Sequence, residues 1–272
     1  MIQLDDNKLR QLQKIEIEML LEIDRICRKH KINYTIIGGT LLGAVRHGGF
    51  IPWDDDADVA MLRPEYERFC KVCEKELDNT RFYFQDMDNT PGYRWGYGKF
   101  RRKDSLFLRE NQEHMPYEQG VFIDIFPQDA TPDNAVLRRL HDFSCFCVRK
   151  LLWSEVGKKA EHNCFKRICF IMLSKIPFKL VQIMYRGLII RNQKTELVRT
   201  LTFPAPKRKY GYKRVWLTET DDIKFEQYTL RGVKDYDGWL RWEFGKYMDI
   251  PPEHKRKTHP ITAIILPNIR EE

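Results

Sequence analysis

From about Asn7 to His30 the apolar residues Leu9, Leu12, Met19, Leu20, Ile23, Ile26 and Cys27 recur at steps of three and four, which gathers them on one stripe of a helix. The period then changes. Tyr34-Thr35-Ile36-Ile37 is β-branched and aromatic and is stopped by Gly38-Gly39, so it predicts a short strand. Thr40 is placed to cap a short helix running towards His47, Gly48-Gly49 breaks that helix, and Pro52 opens an extended segment in which Trp53 to Met61 reads as a second strand. A helix is predicted from about Pro64 to Leu77. Phe82-Tyr83-Phe84, Tyr93 to Phe100 and Gly120 to Phe126 are three further strand candidates, separated by polar and Gly/Pro-containing turns. From Pro132 to about Thr200 the period is helical, with basic residues set among apolar ones. The remainder returns to short mixed elements and Pro-rich turns. The predicted fold class is α+β, a mixed β-sheet flanked by helices with a helical insertion, and no internal repeat interrupts it.

The most apolar stretch, Ile168 to Ile190, is interrupted by Lys175, Lys179 and Arg186 and divided by Pro177, so it does not read as a membrane-spanning helix. Its first reading is an ordinary helical hairpin packed on the sheet. The alternative is a peripheral, salt-sensitive contact with a membrane surface.

Hydrophobic residues make up 42% of the chain and charged residues 32%, which excludes wholesale disorder and allows one large domain with an insertion. Lys and Arg exceed Asp and Glu by 47 to 39, a net +8 that favours anionic partners such as nucleotides, phosphate polymers or a lipid surface without implying nucleic acid. Met1 to Arg10 lacks the apolar stretch of a secretory signal, so a cytoplasmic location is expected, extending to the inner face of the cell membrane. The seven cysteines then read as reduced thiols, and Cys70 and Cys73 lack a second ligand pair for zinc.

The chemistry is concentrated in Gly48-Gly49-Phe50-Ile51-Pro52-Trp53-Asp54-Asp55-Asp56-Ala57-Asp58-Val59. Four carboxylates in five positions repel one another unless a cation offsets them. On an extended strand Asp54, Asp56 and Asp58 share one face while Trp53, Ala57 and Val59 point the other way, and only Asp55 breaks the parity. Oxygen-rich clusters select hard cations, and Mg²⁺ characteristically sits on one or two carboxylates plus substrate phosphates. A second acidic position lies in Gly120-Val121-Phe122-Ile123-Asp124-Ile125-Phe126-Pro127, where Val121, Ile123 and Ile125 form one face and Asp124 the other. Asp124 is the expected third carboxylate. A salt bridge to a Lys or Arg is its alternative role. Lys99 and Arg101 would share a strand face with Tyr93, Trp95 and Tyr97, able to hold phosphates by charge and a base by stacking, or else lie solvated on an edge strand.

The run from Ile37-Gly38-Gly39-Thr40-Leu41-Leu42-Gly43-Ala44-Val45-Arg46-His47 through Trp53-Asp54-Asp55-Asp56-Ala57-Asp58-Val59 closely resembles the signature of the LicD family, which includes fukutin-type proteins. Phe122 to Pro127 resembles its second block. Trp239-Leu240 through Phe244-Gly245, Tyr247-Met248 and Pro251-Pro252 resembles its closing block, while 132–215 matches only in patches. The resemblance implies a nucleotidyltransferase-type fold, with a catalytic core over 1–131, a helical accessory segment over 132–200 and a completing segment over 201–272. It implies transfer of a phospho-alcohol such as phosphocholine from a CDP-activated donor to a glycan or lipid-linked sugar, with CMP leaving. It places Mg²⁺, or Mn²⁺, on Asp54, Asp56, Asp58 and Asp124, of which Asp56, Asp58 and Asp124 are the expected catalytic set. Gly38, Gly39, Thr40 and Arg46 of the motif, with Lys99 and Arg101, are the expected donor-binding set. The rivals are a true nucleotidyltransferase and a non-catalytic module that binds phosphate polymers or membranes.

Overall fold

The computed structural model describes residues 2, 4–191, 194–204, 210–256 and 258–267. Helix α1 (Asp6–His30) is capped by Asp5, whose side chain accepts from the Lys8 N–H at 2.8 Å, and it ends at Lys31 in the left-handed region, φ 51°. Its apolar stripe is the predicted one, with Leu12, Met19, Ile23 and Ile26 fully buried. Then follow β1 (Thr35–Ile36), α2 (Gly38–His47), β2 (Ala57–Leu62), α3 (Arg63–Glu76), β3 (Phe82–Gln85), β4 (Gly98–Arg102), β5 (Leu106–Arg109) and β6 (Phe122–Ala130). The helical segment supplies α4 (Ala135–Ala160), α5 (Cys164–Ser174) and α6 (Phe178–Leu188). The chain closes with β7 (Leu197–Arg199), β8 (Tyr212–Lys213), α7 (Val215–Thr218), β9 (Thr220–Phe225), β10 (Tyr228–Val233), α8 (Tyr236–Phe244) and β11 (Ile261–Ile265).

Seven strands form one sheet in the order β1-β2-β6-β4-β3, extended by β7 on β6 and β8 on β7. Its pair β2/β6 is parallel and its other pairs are antiparallel, so the α+β, mixed-sheet expectation holds. Val121, Ile123 and Ile125 are fully buried on one face of β6, as their alternation predicts. Strands β9 and β10 form an antiparallel hairpin, and β5 pairs antiparallel with the distant β11.

Three local expectations need correction. Strand β2 begins at Ala57, because the Asp54 N–H donates to the Ile51 carbonyl at 2.9 Å and closes a turn that lifts Trp53 to Asp56 out of the sheet. Trp53 is half-buried at the margin of the core, under the Arg256 guanidinium 4.3 Å from its ring. Strand β4 starts at Gly98, since Tyr93 to Tyr97 folds on itself: the Tyr93 hydroxyl donates to the Tyr97 carbonyl at 3.0 Å. Strand β6 continues through Pro127, which falls between the end of the β4 ladder at Ile125 and the start of the β7 ladder at Asp129. The missing N–H costs no ladder bond there.

The helical segment behaves differently from a packed hairpin. Only a narrow seam of it is buried, chiefly Val148, Leu151, Leu152, Val181 and Tyr185. It is fastened to the sheet through the 93–97 loop, where the Tyr185 hydroxyl donates to Gly96 O at 2.6 Å and Arg94 donates to the Leu151 and Leu152 carbonyls at 3.0 Å. Phe165, Ile168, Met172 and Ile183 are exposed, contrary to the core-hairpin reading.

Candidate active site

Strand register decides which predicted residues meet. Asp58 of β2 is the register partner of Asp124 of β6, and Asp124 is the partner of Lys99 of β4. The three side chains therefore form one row across three adjacent interior strands. Asp54 and Asp56, in the turn that feeds β2, adjoin the head of this row, and both appear among the charges that act on Asp58.

The turn between β1 and α2 shapes the other wall. Gly38 has φ +56°, and a Cβ there would lie 2.9 Å from Asp58 Oδ2; one at Gly39 would lie 2.5 Å from Asp54 Oδ2. Both glycines are needed because carboxylates occupy the space of their side chains. The first N–H groups of α2 have no intrahelical partner, so this end of the site carries partial positive charge. Thr40 does not cap the helix, whose N-cap is Ile37. Its hydroxyl instead accepts from the Asp58 N–H at 2.9 Å, fixing the start of β2 against α2.

Burial, then the neighbouring Asp56, holds the pKa of Asp54 and of Asp58 well above the usual carboxylate range, and burial raises Asp56 as well. Asp54 Oδ2 is buried without a hydrogen-bond partner. An all-oxygen donor set with an orphaned oxygen and mutually repelling charges fits a hard divalent cation, since a cation relieves each of these costs at once. Asp55 lies outside the row but joins Asp56 and His259 in a second group of potential metal ligands. Its carboxylate turns to the C-terminal arm, accepting from the His259 N–H at 2.8 Å, with His259 Nδ1 3.2 Å away, while His259 Nε2 stands 3.6 Å from Asp56. Ligand atoms of Asp55, Asp56 and His259 lie within 4.8 Å of one another.

Lys99 and Arg101 are only 3% exposed, so neither is an edge-strand cation. Lys99 forms an ion pair with Asp124 and lies 3.3 Å over the Phe122 ring. Burial pushes its ammonium down to about 7, opposed by Asp124 and helped by Arg101 and Arg109. Arg101 donates to Gln85 Oε1 and to the Gly120 carbonyl, both at 2.6 Å, and is committed to the sheet. Arg46 donates to the Tyr247 and Asp249 carbonyls at 2.7 and 3.2 Å, tying α2 to the closing block. Of these cations Lys99 alone lines the open space next to the row, and it is joined there by others. A cavity of about 280 Å³ is lined by Lys99, Arg109, Arg149 and Lys150, with Trp95, Tyr97, Trp153 and Phe203 as its aromatic wall.

Sequence reasoning also missed two carboxylates. Glu16 of α1 is buried, with Oε2 unpartnered, and burial followed by the charges of Asp56, Asp55, Asp54 and Asp58 raises its pKa well above normal. Glu243 of α8 accepts from Trp239 Nε1 at 2.8 Å and from the Tyr212 hydroxyl at 3.1 Å, and its charge reaches Asp58. A polar residue inside the apolar stripe of α1 was the available signal for Glu16. Glu243 falls inside the closing block, whereas His259 and Arg109 left no local signal.

The parallel β2/β6 pair thus bears carboxylates at equal register beside two glycines at a helix N-terminus. The chain belongs to the LicD/FKTN/FKRP nucleotidyltransferase-domain family, whose model matches residues 31–184. Among curated proteins it is similar to the lipopolysaccharide cholinephosphotransferase LicD of Haemophilus influenzae, 28% identical over 269 residues that cover 93% of this chain and 96% of that protein. An uncharacterized protein of Rickettsia prowazekii, RP689, is 26% identical over 113 residues, covering 41% of this chain and 40% of its own length.

Proposed function

We propose that this protein transfers a phospho-alcohol group of the phosphocholine type from a CDP-activated donor to a sugar hydroxyl of a cell-surface glycan or its precursor. The observation that carries the reading is the Asp58–Asp124–Lys99 row, with Asp54 and Asp56 at its head, beside a cavity walled by cations and aromatic rings. The similarity to a cholinephosphotransferase over nearly the whole of both chains supports the choice of transferred group.

Mg²⁺, or Mn²⁺ in its place, would be held by Asp56, Asp58 and Asp124 with Asp54 beside them, and would neutralise charge on the donor diphosphate. The protein's own groups do the rest. Arg109, Arg149 and Lys150 provide a charged bed for the donor phosphates, and Trp95 and Trp153, with ring centroids 5.6 Å apart, offer faces for the base. A carboxylate of the cluster accepts the proton of the attacking hydroxyl, and Asp124 is already engaged by Lys99. The Gly38-Gly39 turn keeps side chains out of the space between these groups and the N-terminus of α2.

Incubating purified protein and a sugar acceptor with CDP-choline, CDP-glycerol or CDP-ribitol, with and without a divalent cation, tests the reading. CMP release with phospho-alcohol on the acceptor is the expected result. Nucleotide on the acceptor would make the protein a true nucleotidyltransferase. No turnover of any donor would leave a binding module.

A further inference from the structure

Helices α5 and α6 each bury one edge and display apolar side chains on the opposite one. In α5, Phe170 is buried while Phe165, Ile168 and Met172, on the other side at helical spacing, are 76%, 55% and 65% exposed. In α6, Val181 and Tyr185 are buried while Leu180, Ile183 and Met184 are exposed. A helix on a globular surface normally turns its polar face to water, so this is the reverse of what aqueous exposure selects.

Charge is gathered on the same segment. Between residues 135 and 188 there are eleven Lys and Arg against three Asp and Glu, an excess of eight, which is the whole of the chain's net +8. Lys166, Arg167, Lys175 and Lys179 belong to the two helices or the turn between them. Each helix has 11 residues, about 16 Å by the 1.5 Å rise, against the roughly 30 Å of a bilayer's hydrocarbon core. The two are bent by 93° at their break, and no single helix among the described residues is long and apolar enough to cross a membrane.

We propose that the α5–α6 elbow, with the basic residues of α4, is a docking surface for an anionic phospholipid bilayer, seated at headgroup depth rather than crossing it. The apolar side chains enter the interface and the Lys and Arg stems extend their charges to lipid phosphates. Charge selects this occupant over a second copy of the chain, because self-association through the elbow would set an excess of positive charge against itself. The apolar stripes select it over a soluble polyanion, which offers phosphates but no apolar phase. Helix α4 also carries Arg149, Lys150 and Trp153 of the cavity wall, so docking holds the cavity beside the bilayer, where a lipid-linked acceptor lies. That last consequence rests on the phosphotransfer reading. Vesicle binding, measured without donor or acceptor, does not.

Flotation of the full-length protein with phosphatidylcholine vesicles, with and without phosphatidylglycerol, at low and high salt, tests the docking. Wild type should float only with the anionic vesicles and be released by salt. Lys166→Glu with Arg167→Glu should weaken vesicle affinity by roughly thirtyfold or more, at about fivefold per basic residue lost near the surface. Ile168→Glu with Ile183→Glu should also abolish flotation while leaving the thermal melt in place, since both side chains are exposed. Protein that stays in solution with anionic vesicles at low salt overturns the proposal, as does flotation unaffected by the isoleucine changes. A wild-type dimer in sedimentation velocity that these changes split into monomers assigns the face to a second copy instead.

Discussion

Asp58→Asn removes one charge from the acidic row with little change of shape, and it should stabilise the metal-free protein while abolishing turnover. Asp58 stands at equal register with Asp124, two residues after Asp56, with its carboxylate against Gly38. Burial and then Asp56, Asp124 and Asp54 raise its pKa well above 3.8. A raised acid pKa means that the folded state binds the proton more tightly than the unfolded one. In the metal-free protein the contribution of Asp58 to stability is therefore fully present below the ordinary carboxylate range and is lost as pH rises through the raised value. Two carboxylates about 5 Å apart at an effective dielectric near 20 repel by roughly 3 kcal/mol. Compensation of Asp124 by Lys99 and screening at the open side leave about 1–2 kcal/mol for Asp58, or about 2–4 °C in melting temperature for a chain of this size. Thermal melts in EDTA and in Mg²⁺ at neutral pH measure this directly. Wild type should gain melting temperature with Mg²⁺, and Asp58→Asn should start higher and gain little. A variant that melts below wild type in EDTA, or that responds to Mg²⁺ as wild type does, would show that the row is not a strained cation site.

Lys99→Met keeps the side chain's bulk but leaves Asp124 unpaired in an interior strand. It should cost roughly 3–5 kcal/mol of stability, read from denaturant unfolding; an unchanged midpoint with weaker donor binding would return Lys99 to a purely ligand-holding role. His259→Ala removes the imidazole from Asp55 and Asp56 while keeping the backbone N–H bond to Asp55, and it should cost about 1–3 kcal/mol and reduce Mg²⁺ affinity in titration calorimetry. Identical unfolding and identical Mg²⁺ binding would remove the C-terminal arm from the site.

Local pattern carried much of the fold. The stripe of α1 appeared within two residues of its predicted start, α3 was shifted by one residue, and the alternation in Gly120 to Phe126 correctly set Asp124 apart from its apolar neighbours. These features depend on side-chain period, which a sequence displays directly. The strand starts at Trp53 and Tyr93 did not hold, because backbone turns at Ile51–Asp54 and within Tyr93–Tyr97 outweighed the strand preference of the aromatic residues.

The sequence by itself determined that four carboxylates crowd five consecutive positions, that a fifth lies in an apolar strand, and that two glycines precede them. Composition and spacing alone make such a cluster costly without a cation. Only the tertiary structure decided the rest, because it arises from contacts between residues far apart in the chain. Parallel register set Asp58 beside Asp124, and the antiparallel β4 brought Lys99 against that same carboxylate. The C-terminal arm returned His259 to Asp55 across 204 residues. The helical segment, whose apolar period reads alike for core and for surface, was left exposed because the sheet offered it only a narrow seam to bury. Periodicity specifies that a face is apolar, and the packing of the remaining chain decides what covers it.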